Sequence, residues 1–396
     1  MNLKSLISLS VVLFSMCGNG LDADAMNDKS EKCVVVDYAM GLNARPSYIM
    51  PTHGFYNGWN SSGKPLKAGG TADVQFYISD MSRGVYQGIG AALHTFGADN
   101  LIGTPATLYV FQGARLACLT EKLSIGYEWN LGASAGWRTD NDVIVSPINV
   151  YINVAALFTW RINSYWDVVF GPEYTHFSNG DTRFPNGGAN TLNFRVGARR
   201  HFKPTSVHVA ENIFTSDMRK VHFGDRVTYD LVFIGGFRAD RTVSDGRLYI
   251  FNRAFPVMSM NFNPIYSFTS YIGAGPSLDI LYDRSSNLQV SKNQQGEVSF
   301  EYPQVQYQTA LGFSARAELK MPIFAVNIGI GYGFHLGDHT RYENPDLNGL
   351  YGMFALKAFL SDRLFLNVSY RLSSVLYSHN LMFGIGWRFG NISSHP

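Results

Sequence analysis

Apolar and polar residues alternate with a period of two along much of this chain. From Leu123 to Trp137 every odd position is apolar, whereas every even position is polar or glycine. Successive side chains of a β-strand point to opposite faces, so this segment predicts a strand with one apolar and one polar face. The same split predicts further strands at residues 34–46, 149–161, 227–238, 324–335, 364–372 and 381–389.

The length of these segments favours a membrane barrel over a soluble β-sandwich. They span roughly 10 to 14 residues, which is longer than the usual strand of a soluble sheet and close to the length of a tilted membrane strand. Tryptophans lie near the strand ends, as in the aromatic girdles of membrane barrels: Trp129, Trp137, Trp160, Trp166 and Trp387. The last strand ends on a further aromatic residue, Phe389.

The connections between the predicted strands alternate between long and short. Outer-membrane barrels have long outside loops and short periplasmic turns, so this alternation also assigns the two ends of the barrel. The long polar connections are residues 51–70, 138–147, 179–189, 284–302 and 336–348, and the tight ones are 119–122, 162–165, 320–322 and 361–363.

We therefore predict an all-β protein, an antiparallel transmembrane β-barrel. The pattern gives about eight strands in residues 26–203 and about eight more in residues 226–396, separated by a connector at 204–225. An even strand number fits one barrel of about sixteen strands and also two eight-stranded barrels. A single barrel is the preferred prediction, because two spanning barrels joined by one linker are rare.

The first 25 residues are typical of a secretory signal peptide. Lys4 supplies the positive charge, residues 6–16 form an apolar stretch, and residues 23–25 (Ala-Asp-Ala) form a small-residue cleavage site. A cut before Cys17 with lipid attachment is the alternative. Either route directs the chain through the periplasm, and with the barrel pattern it predicts an outer-membrane location.

Composition agrees with this class and excludes others. Charged residues make up 16% and aromatic residues 14% of the chain. The net charge of +2 comes without a basic stripe, so no nucleic-acid partner is predicted.

Two cysteines, Cys33 and Cys118, remain after signal removal. Both are expected at the periplasmic rim, where they form a disulfide or stay unpaired.

Three polar residues break the apolar face of two neighbouring predicted strands. His176 and Ser178 continue the lipid-facing parity of the strand that starts at Trp166, and Asn190 shares the parity of the apolar set of the next strand. Polar groups on a lipid face are costly unless they are satisfied. A histidine two residues from a serine forms a base and a nucleophile, and an asparagine can orient the ring. The alternative is solvated residues at headgroup level.

The segment that contains these residues resembles a known enzyme family. His176-Phe177-Ser178-Asn179-Gly180, followed by Pro185-Asn186-Gly187-Gly188-Ala189-Asn190, is similar to the motifs of the lipid A 3-O-deacylases (PagL-type, or acyloxyacyl hydrolases). The resemblance implies that Ser178 is the nucleophile and His176 the base, with Asn179 and Gly180 supporting the oxyanion hole. It implies a lipid A or lipopolysaccharide substrate, a site that faces the membrane, and no metal or organic cofactor.

One residue departs from the family pattern. The family's founding members carry a glutamate where this chain has Asn190, and an amide can hold the imidazole but cannot stabilise its cation with a charge. Glu173 faces the lumen by parity and is a poor substitute. The C-terminal half looks like the extended barrels attached to this motif in some family members.

Three other motifs are interpreted as structural. Gly132–Gly136 matches the G-x-S-x-G nucleophile elbow, but Ser134 lies within a predicted strand rather than at a strand-to-helix turn. Glycines at 329, 331 and 333 are expected to line the lumen wall. His335, Asp338 and His339 lack convincing metal-ligand spacing and are expected in a solvated loop.

The sequence thus predicts an outer-membrane esterase that removes an ester-linked (3-hydroxy)acyl chain from lipid A. The alternatives are a porin or transporter that works through its lumen, and a barrel that only binds lipopolysaccharide. Lumen size distinguishes a porin from a deacylase, since a porin needs an open channel whereas the lumen of a deacylase can be filled.

Overall fold

The described strands form two closed antiparallel barrels and one small hairpin in a computed structural model of the chain. The residues that it describes are 36–51, 66–80, 85–140, 144–180, 182–183, 187–203, 226–244, 247–268, 272–292, 298–320, 324–337, 348–361, 363–373 and 380–390. The two barrels are separate compact units. Within those ranges no helix has both the length and the apolar character needed to cross a membrane.

The N-terminal barrel contains eight strands, each paired with the next, and closes between its first and last strands. A one-turn helix, α1 (Asp99–Ile102), precedes the fourth strand. The strands are β1 (Val36–Ile49), β2 (Ala68–Asp80), β3 (Val85–Thr95), β4 (Gly103–Cys118), β5 (Leu123–Trp137), β6 (Ile148–Asn163), β7 (Trp166–Ser178) and β8 (Ala189–His201).

The C-terminal barrel also contains eight strands and closes between β9 and β18. Its connection from β11 to β14 holds a two-stranded hairpin, β12 (Gln289–Lys292) and β13 (Val298–Glu301), and a 3-10 helix, Val305–Gln308. The barrel strands are β9 (Val227–Ser244), β10 (Arg247–Ser267), β11 (Ile272–Asp283), β14 (Thr309–Lys320), β15 (Phe324–His335), β16 (Gly349–Phe359), β17 (Leu364–Ser373) and β18 (Asn380–Gly390).

The predicted fold class and the count of about sixteen barrel strands are confirmed, but the preference for a single barrel is wrong. The alternative, two eight-stranded barrels, is the observed architecture. Both edges of β1 are taken by strands of its own half, with Gly41 opposite Gln75 of β2 and opposite Arg199 of β8. No edge of β1 is therefore left to pair with the C-terminal strands.

Outward and inward faces follow the predicted alternation. On the outside, large apolar side chains such as Leu108 (73% exposed) and Phe237 (58% exposed) form the wall that a lipid bilayer would cover. On the inside, charged side chains such as Arg45 and Glu128 are buried. A barrel wall with an apolar outer face and a polar inner face is what a barrel surrounded by lipid requires.

Buried ion pairs fill the lumen of the N-terminal barrel. Arg195 contacts Glu128 at 2.6 Å and Glu173 at 2.9 Å. Arg45 contacts Asp73 at 2.6 Å and lies 3.5 Å from Glu173, which extends the chain of charges across five strands. We call these residues the N-lumen charge cluster: Arg45, Asp73, Glu128, Glu173 and Arg195.

The lumen of the C-terminal barrel is filled in a similar way. Lys357 and Arg388 each contact both Asp230 and Glu318, at distances between 2.5 and 2.8 Å. A cavity of about 10 Å³ beside Lys357 is lined by four asparagines and has room for about one water molecule. The glycines of β15 belong to this packed wall, since a Cβ on Gly329 would lie 2.4 Å from Cδ of Arg316.

Two predicted placements are corrected. Trp137 was expected on the lipid face, but it is 5% exposed and lies inside, because the positive φ of Gly136 (97°) breaks the alternation just before it. His335 was expected in a solvated loop, but it is the buried last residue of β15 and accepts a hydrogen bond from the Gly337 amide.

Several predictions fall on residues outside the described ranges. These are the signal peptide at 1–25, Cys33 and therefore its pairing with Cys118, Pro185 and Asn186, the connector 204–225, and Asp338 with His339.

Candidate active site

The three predicted site residues meet on the outside of the N-terminal barrel. His176 and Ser178 lie at the end of β7 that leads into a long connection, and Asn190 lies at the start of β8. His176 and Asn190 are direct partners in the register of these two strands, so their side chains lie side by side. All three are partly exposed, whereas Phe177, between His176 and Ser178, and Ala189, next to Asn190, are buried. We call His176, Ser178 and Asn190 the site triplet.

Hydrogen bonds connect the site triplet into a chain. Nδ1 of His176 lies 2.6 Å from Oδ1 of Asn190, and Nε2 of the same ring lies 3.0 Å from Oγ of Ser178. The first is a short hydrogen bond and the second has an ordinary length. The imidazole thus lies between an amide and a hydroxyl group, which is the order in which a nucleophile, a base and an orienting group are arranged in serine and cysteine hydrolases.

The contact with Asn190 fixes which nitrogen of the imidazole carries the proton. Oδ1 of an amide has no proton to donate, so the Nδ1 group of His176 must donate to it. In the neutral ring Nε2 is then an acceptor, and it receives the hydroxyl proton of Ser178. This tautomer is the one that a general base needs, since Nε2 has a free lone pair directed at the serine.

Tyr174 is a fourth member of the site that the sequence analysis did not include. Its hydroxyl donates to Oδ1 of Asn190 at 2.7 Å, while its ring remains 40% exposed on the outer wall. The alternation grouped Tyr174 with the apolar lipid-facing residues. The signal that could have found it is its parity, because Tyr174 lies two residues before His176 on β7 and therefore on the same face.

Aromatic packing inside the barrel anchors the strand segment that carries the base and the nucleophile. Phe177, between His176 and Ser178, points into the lumen and is 1% exposed. Its ring contacts four others at centroid distances of 5.0 to 5.9 Å, from His94, Phe96, Trp137 and Tyr151. Side chains that alternate along a strand share one backbone, so this inner cluster also fixes the direction of the two outer side chains.

Glycines allow the connection between β7 and β8 to pass close to the site. Gly180 has a φ of 65° and Gly188 a φ of 59°, both in the left-handed region that favours glycine. A Cβ on Gly188 would lie 3.6 Å from Cε1 of His176 and 3.2 Å from the carbonyl oxygen of Phe177. A side chain at this position would therefore strain the backbone and press on the Phe177 carbonyl, and its Cβ would touch the imidazole.

Asn179, which was predicted beside the oxyanion hole, holds the start of this connection. Its side-chain amide donates to the carbonyl of Arg183 at 2.9 Å, and its own carbonyl accepts from the hydroxyl of Thr182 at 2.9 Å. These bonds close a turn directly after Ser178. The role of Asn179 and Gly180 in binding an oxyanion remains a prediction.

The other residues that the sequence singled out lie away from the triplet. Glu173 points into the lumen, where Arg195 binds it, so it cannot replace an acid beside His176. Ser134 is fully buried in the lumen wall, donates to the carbonyl of Asn149 and accepts from the indole of Trp137. Across the described part of the chain no cluster of three or more His, Cys, Asp or Glu side chains could hold a metal ion.

The fold and the triplet together define a transmembrane-type β-barrel with a serine–histidine arrangement on its outer wall. Comparison with protein families adds that residues 227–391 match the family model described as "PagL_C: Acyloxyacyl hydrolase, C-terminal domain". This match confirms the resemblance to PagL-type acyloxyacyl hydrolases. It covers the C-terminal barrel, whereas the motifs that carry the resemblance lie in the N-terminal barrel.

No curated protein matches the chain. Among solved structures, Neisserial surface protein A (NspA) is similar at 9% identity, with 42% of this chain and 97% of that chain covered and a TM-score of 0.30. The Yersinia pestis outer membrane protein Ail is similar at 13% identity, 41% and 98% coverage and a TM-score of 0.24. The Acinetobacter baumannii outer membrane protein Omp33 has 9% identity, 89% and 99% coverage and a TM-score of 0.18. At these scores, the fold assignment rests on the chain's own strand pairing.

Proposed function

We propose that this protein is an outer-membrane esterase that hydrolyses an ester-linked (3-hydroxy)acyl chain of lipid A. The observation that carries the proposal is the hydrogen-bonded chain from Ser178 through His176 to Asn190 on the lipid-facing wall. A bilayer component can reach this wall directly, without passing through the lumen. The match of residues 227–391 to an acyloxyacyl hydrolase domain supports the same reaction class.

The proposed reaction is acyl transfer to Ser178 followed by hydrolysis. As Oγ of Ser178 attacks the ester carbonyl, its proton passes to Nε2 of His176, and the ring then returns that proton to the leaving alcohol oxygen. Water next attacks the acyl-enzyme, with His176 again accepting and returning the proton. The products are a free hydroxy fatty acid and a lipid A that has lost one acyl chain.

The position of the site suits a substrate whose ester lies near the membrane surface. Ser178 is the last residue of β7, and Pro172, Tyr174 and Leu192 continue the apolar wall from the triplet along the barrel. An acyl chain can lie against this wall in the hydrocarbon region, while the sugar part remains among the headgroups. The ester bond would then be presented at the height of the serine.

The packed lumens argue against the alternative of a porin or transporter. Conduction requires a continuous water-filled path, and in the described part of both barrels charged side chains cross the lumen in ion pairs. Opening such a path would separate buried charges, which is costly. The packed lumens do not argue against a barrel that only binds lipopolysaccharide, and the experiment below distinguishes that alternative from an esterase.

Mass spectrometry of lipid A tests the proposal. Cells that express the protein should yield lipid A lighter by one hydroxyacyl chain, and the purified protein should release the same fatty acid in detergent. Cells that express Ser178→Ala provide the matched control, because the substitution removes one oxygen and leaves the barrel wall unchanged. Unaltered lipid A together with binding of lipopolysaccharide would favour the binding barrel instead.

Substitution of Asn190 tests the effect of its missing charge. Asn190→Ala should lower kcat about five- to tenfold, since it removes a neutral hydrogen bond that orients the imidazole. Asn190→Glu should preserve kcat or raise it about fivefold, because a carboxylate makes a charge-assisted bond to the imidazolium that forms during the reaction. Nδ1 of His176 and the Tyr174 hydroxyl are both in place to bind that carboxylate. Loss of activity in Asn190→Glu with an intact barrel would contradict this assignment.

A further inference from the structure

The amide of Asn190 must adopt one of two orientations, a requirement that a carboxylate at this position would not have. The two oxygens of a carboxylate are equivalent, so rotating it by 180° changes nothing. Rotating an amide by 180° exchanges an acceptor oxygen for an NH2 donor. If that NH2 group faced His176, Nδ1 would have to accept and Nε2 would carry the proton. Ser178 would then have no base.

Tyr174 contacts the atom on which this choice depends. Oδ1 of Asn190 lies between two groups, 2.6 Å from Nδ1 of His176 and 2.7 Å from the Tyr174 hydroxyl. The second distance is the usual one for an O–H donor with a carbonyl acceptor. A phenol is a stronger donor than acceptor, because its oxygen lone pair is delocalised into the ring. The hydroxyl therefore favours the amide oxygen over the NH2 group at this position.

We propose that Tyr174 is a positioning residue that orients the Asn190 amide and thereby holds His176 in the tautomer that can accept the proton of Ser178. This inference rests on the proposed esterase function but concerns a different step, the preparation of the base before substrate arrives. Tyr174 acts through Asn190, and its own hydroxyl has no bond to Ser178 or to the imidazole among the described contacts.

The role predicts that the loss of the Tyr174 hydroxyl lowers activity much more when residue 190 is an amide than when it is a carboxylate. In the natural Asn190 background, Tyr174→Phe should lower kcat about fivefold with KM unchanged, the effect of one lost neutral hydrogen bond. In an Asn190→Glu background the same substitution should change kcat less than twofold, because no wrong orientation exists. A role in packing against the membrane would instead lower activity equally in both backgrounds.

Tyr48→Phe is the matched control. Tyr48 lies on β1 opposite Leu192 of β8, is 50% exposed on the same outer wall, and is not hydrogen-bonded to the site triplet. Its replacement removes the same hydroxyl group from the same environment. Activity should stay at the wild-type value in both backgrounds. A fivefold loss in Tyr48→Phe would show that the loss in Tyr174→Phe reflects the membrane-facing surface and not Asn190.

Nitrogen NMR of the His176 ring separates this inference from the proposed function, because it needs no turnover. In protein with ¹⁵N-labelled histidine at about pH 8.5, where imidazole is neutral, the wild type should show a protonated Nδ1 and an unprotonated Nε2. His176→Gln identifies the signals. Tyr174→Phe should add the opposite tautomer, and an unchanged single tautomer would overturn the proposal. If the wild type released no acyl chain yet the tautomers differed as expected, the esterase proposal alone would fail.

Discussion

Ser178→Ala and His176→Ala should each reduce the release of hydroxy fatty acid to background, a loss on the order of 10³-fold or more. Without Oγ of Ser178 no acyl-enzyme forms, and without Nε2 of His176 nothing accepts the serine proton at 3.0 Å. A nucleophile and its base act as one unit, so the double variant should be no less active than either single variant. Fatty acid released from purified lipid A by each protein is the measurement.

The barrel itself should survive both substitutions, because neither side chain contributes to the packed lumen. Faster migration on unheated gels would confirm that each variant is folded. Ser134→Ala is the matched serine control: Ser134 lies in the G-x-S-x-G segment but is buried inside the barrel. It should retain activity. Wild-type turnover in Ser178→Ala would show that the nucleophile has been assigned to the wrong residue.

The alternation of side chains predicted the strands well because it is a local property. The predicted boundaries of β5 (Leu123–Trp137) and β15 (Phe324–His335) coincide with those of the structure. The same parity placed His176, Ser178 and Asn190 on one face before any contact was known. The face to which a side chain points depends only on its position along the strand. It could therefore be inferred without the rest of the fold.

Barrel number could not be predicted in the same way, because it depends on which distant strands pair. An outer-membrane strand has the same apolar and polar faces whether it closes a small barrel or continues a large one. The pairing of β1 with β8 brings together residues more than 140 positions apart in the sequence, such as Ala39 and His201. The alternation of apolar and polar residues in β1 and β8 is the same whether or not these two strands pair to close a barrel.

The backbone angle of a single residue and the aromatic contacts inside the barrel could not be predicted from the sequence either. Trp137 follows Gly136, whose φ of 97° turns the tryptophan from the wall to the interior. There it packs on Phe177, behind the site. The lumen face was expected to be polar, so an aromatic cluster that supports His176 and Ser178 from inside was not foreseen. A glycine before an aromatic residue is too common to indicate such a reversal.

Removing Arg195 should destabilise the N-terminal barrel more than any surface change. Its guanidinium group is fully buried and contacts two carboxylates, Glu128 at 2.6 Å and Glu173 at 2.9 Å. Arg195→Met fills a similar volume but leaves both acids without this partner in the lumen. Breaking a buried ion pair by removing one partner costs about 3–5 kcal/mol. Urea unfolding in detergent micelles, followed by the loss of heat-modifiable migration, measures the cost.

Arg200→Met is the matched control, since Arg200 lies on the same strand but points outwards, with its guanidinium group 5.9 Å from the ring of Trp166. Losing such an exposed contact should cost about 1 kcal/mol or less. Adding Glu128→Leu to Arg195→Met should recover part of the lost stability, because Arg195 is the described ion-pair partner of Glu128, whereas Glu173 still lies near Arg45. Equal unfolding midpoints for Arg195→Met and Arg200→Met would mean that the N-lumen charge cluster contributes little to holding the barrel together.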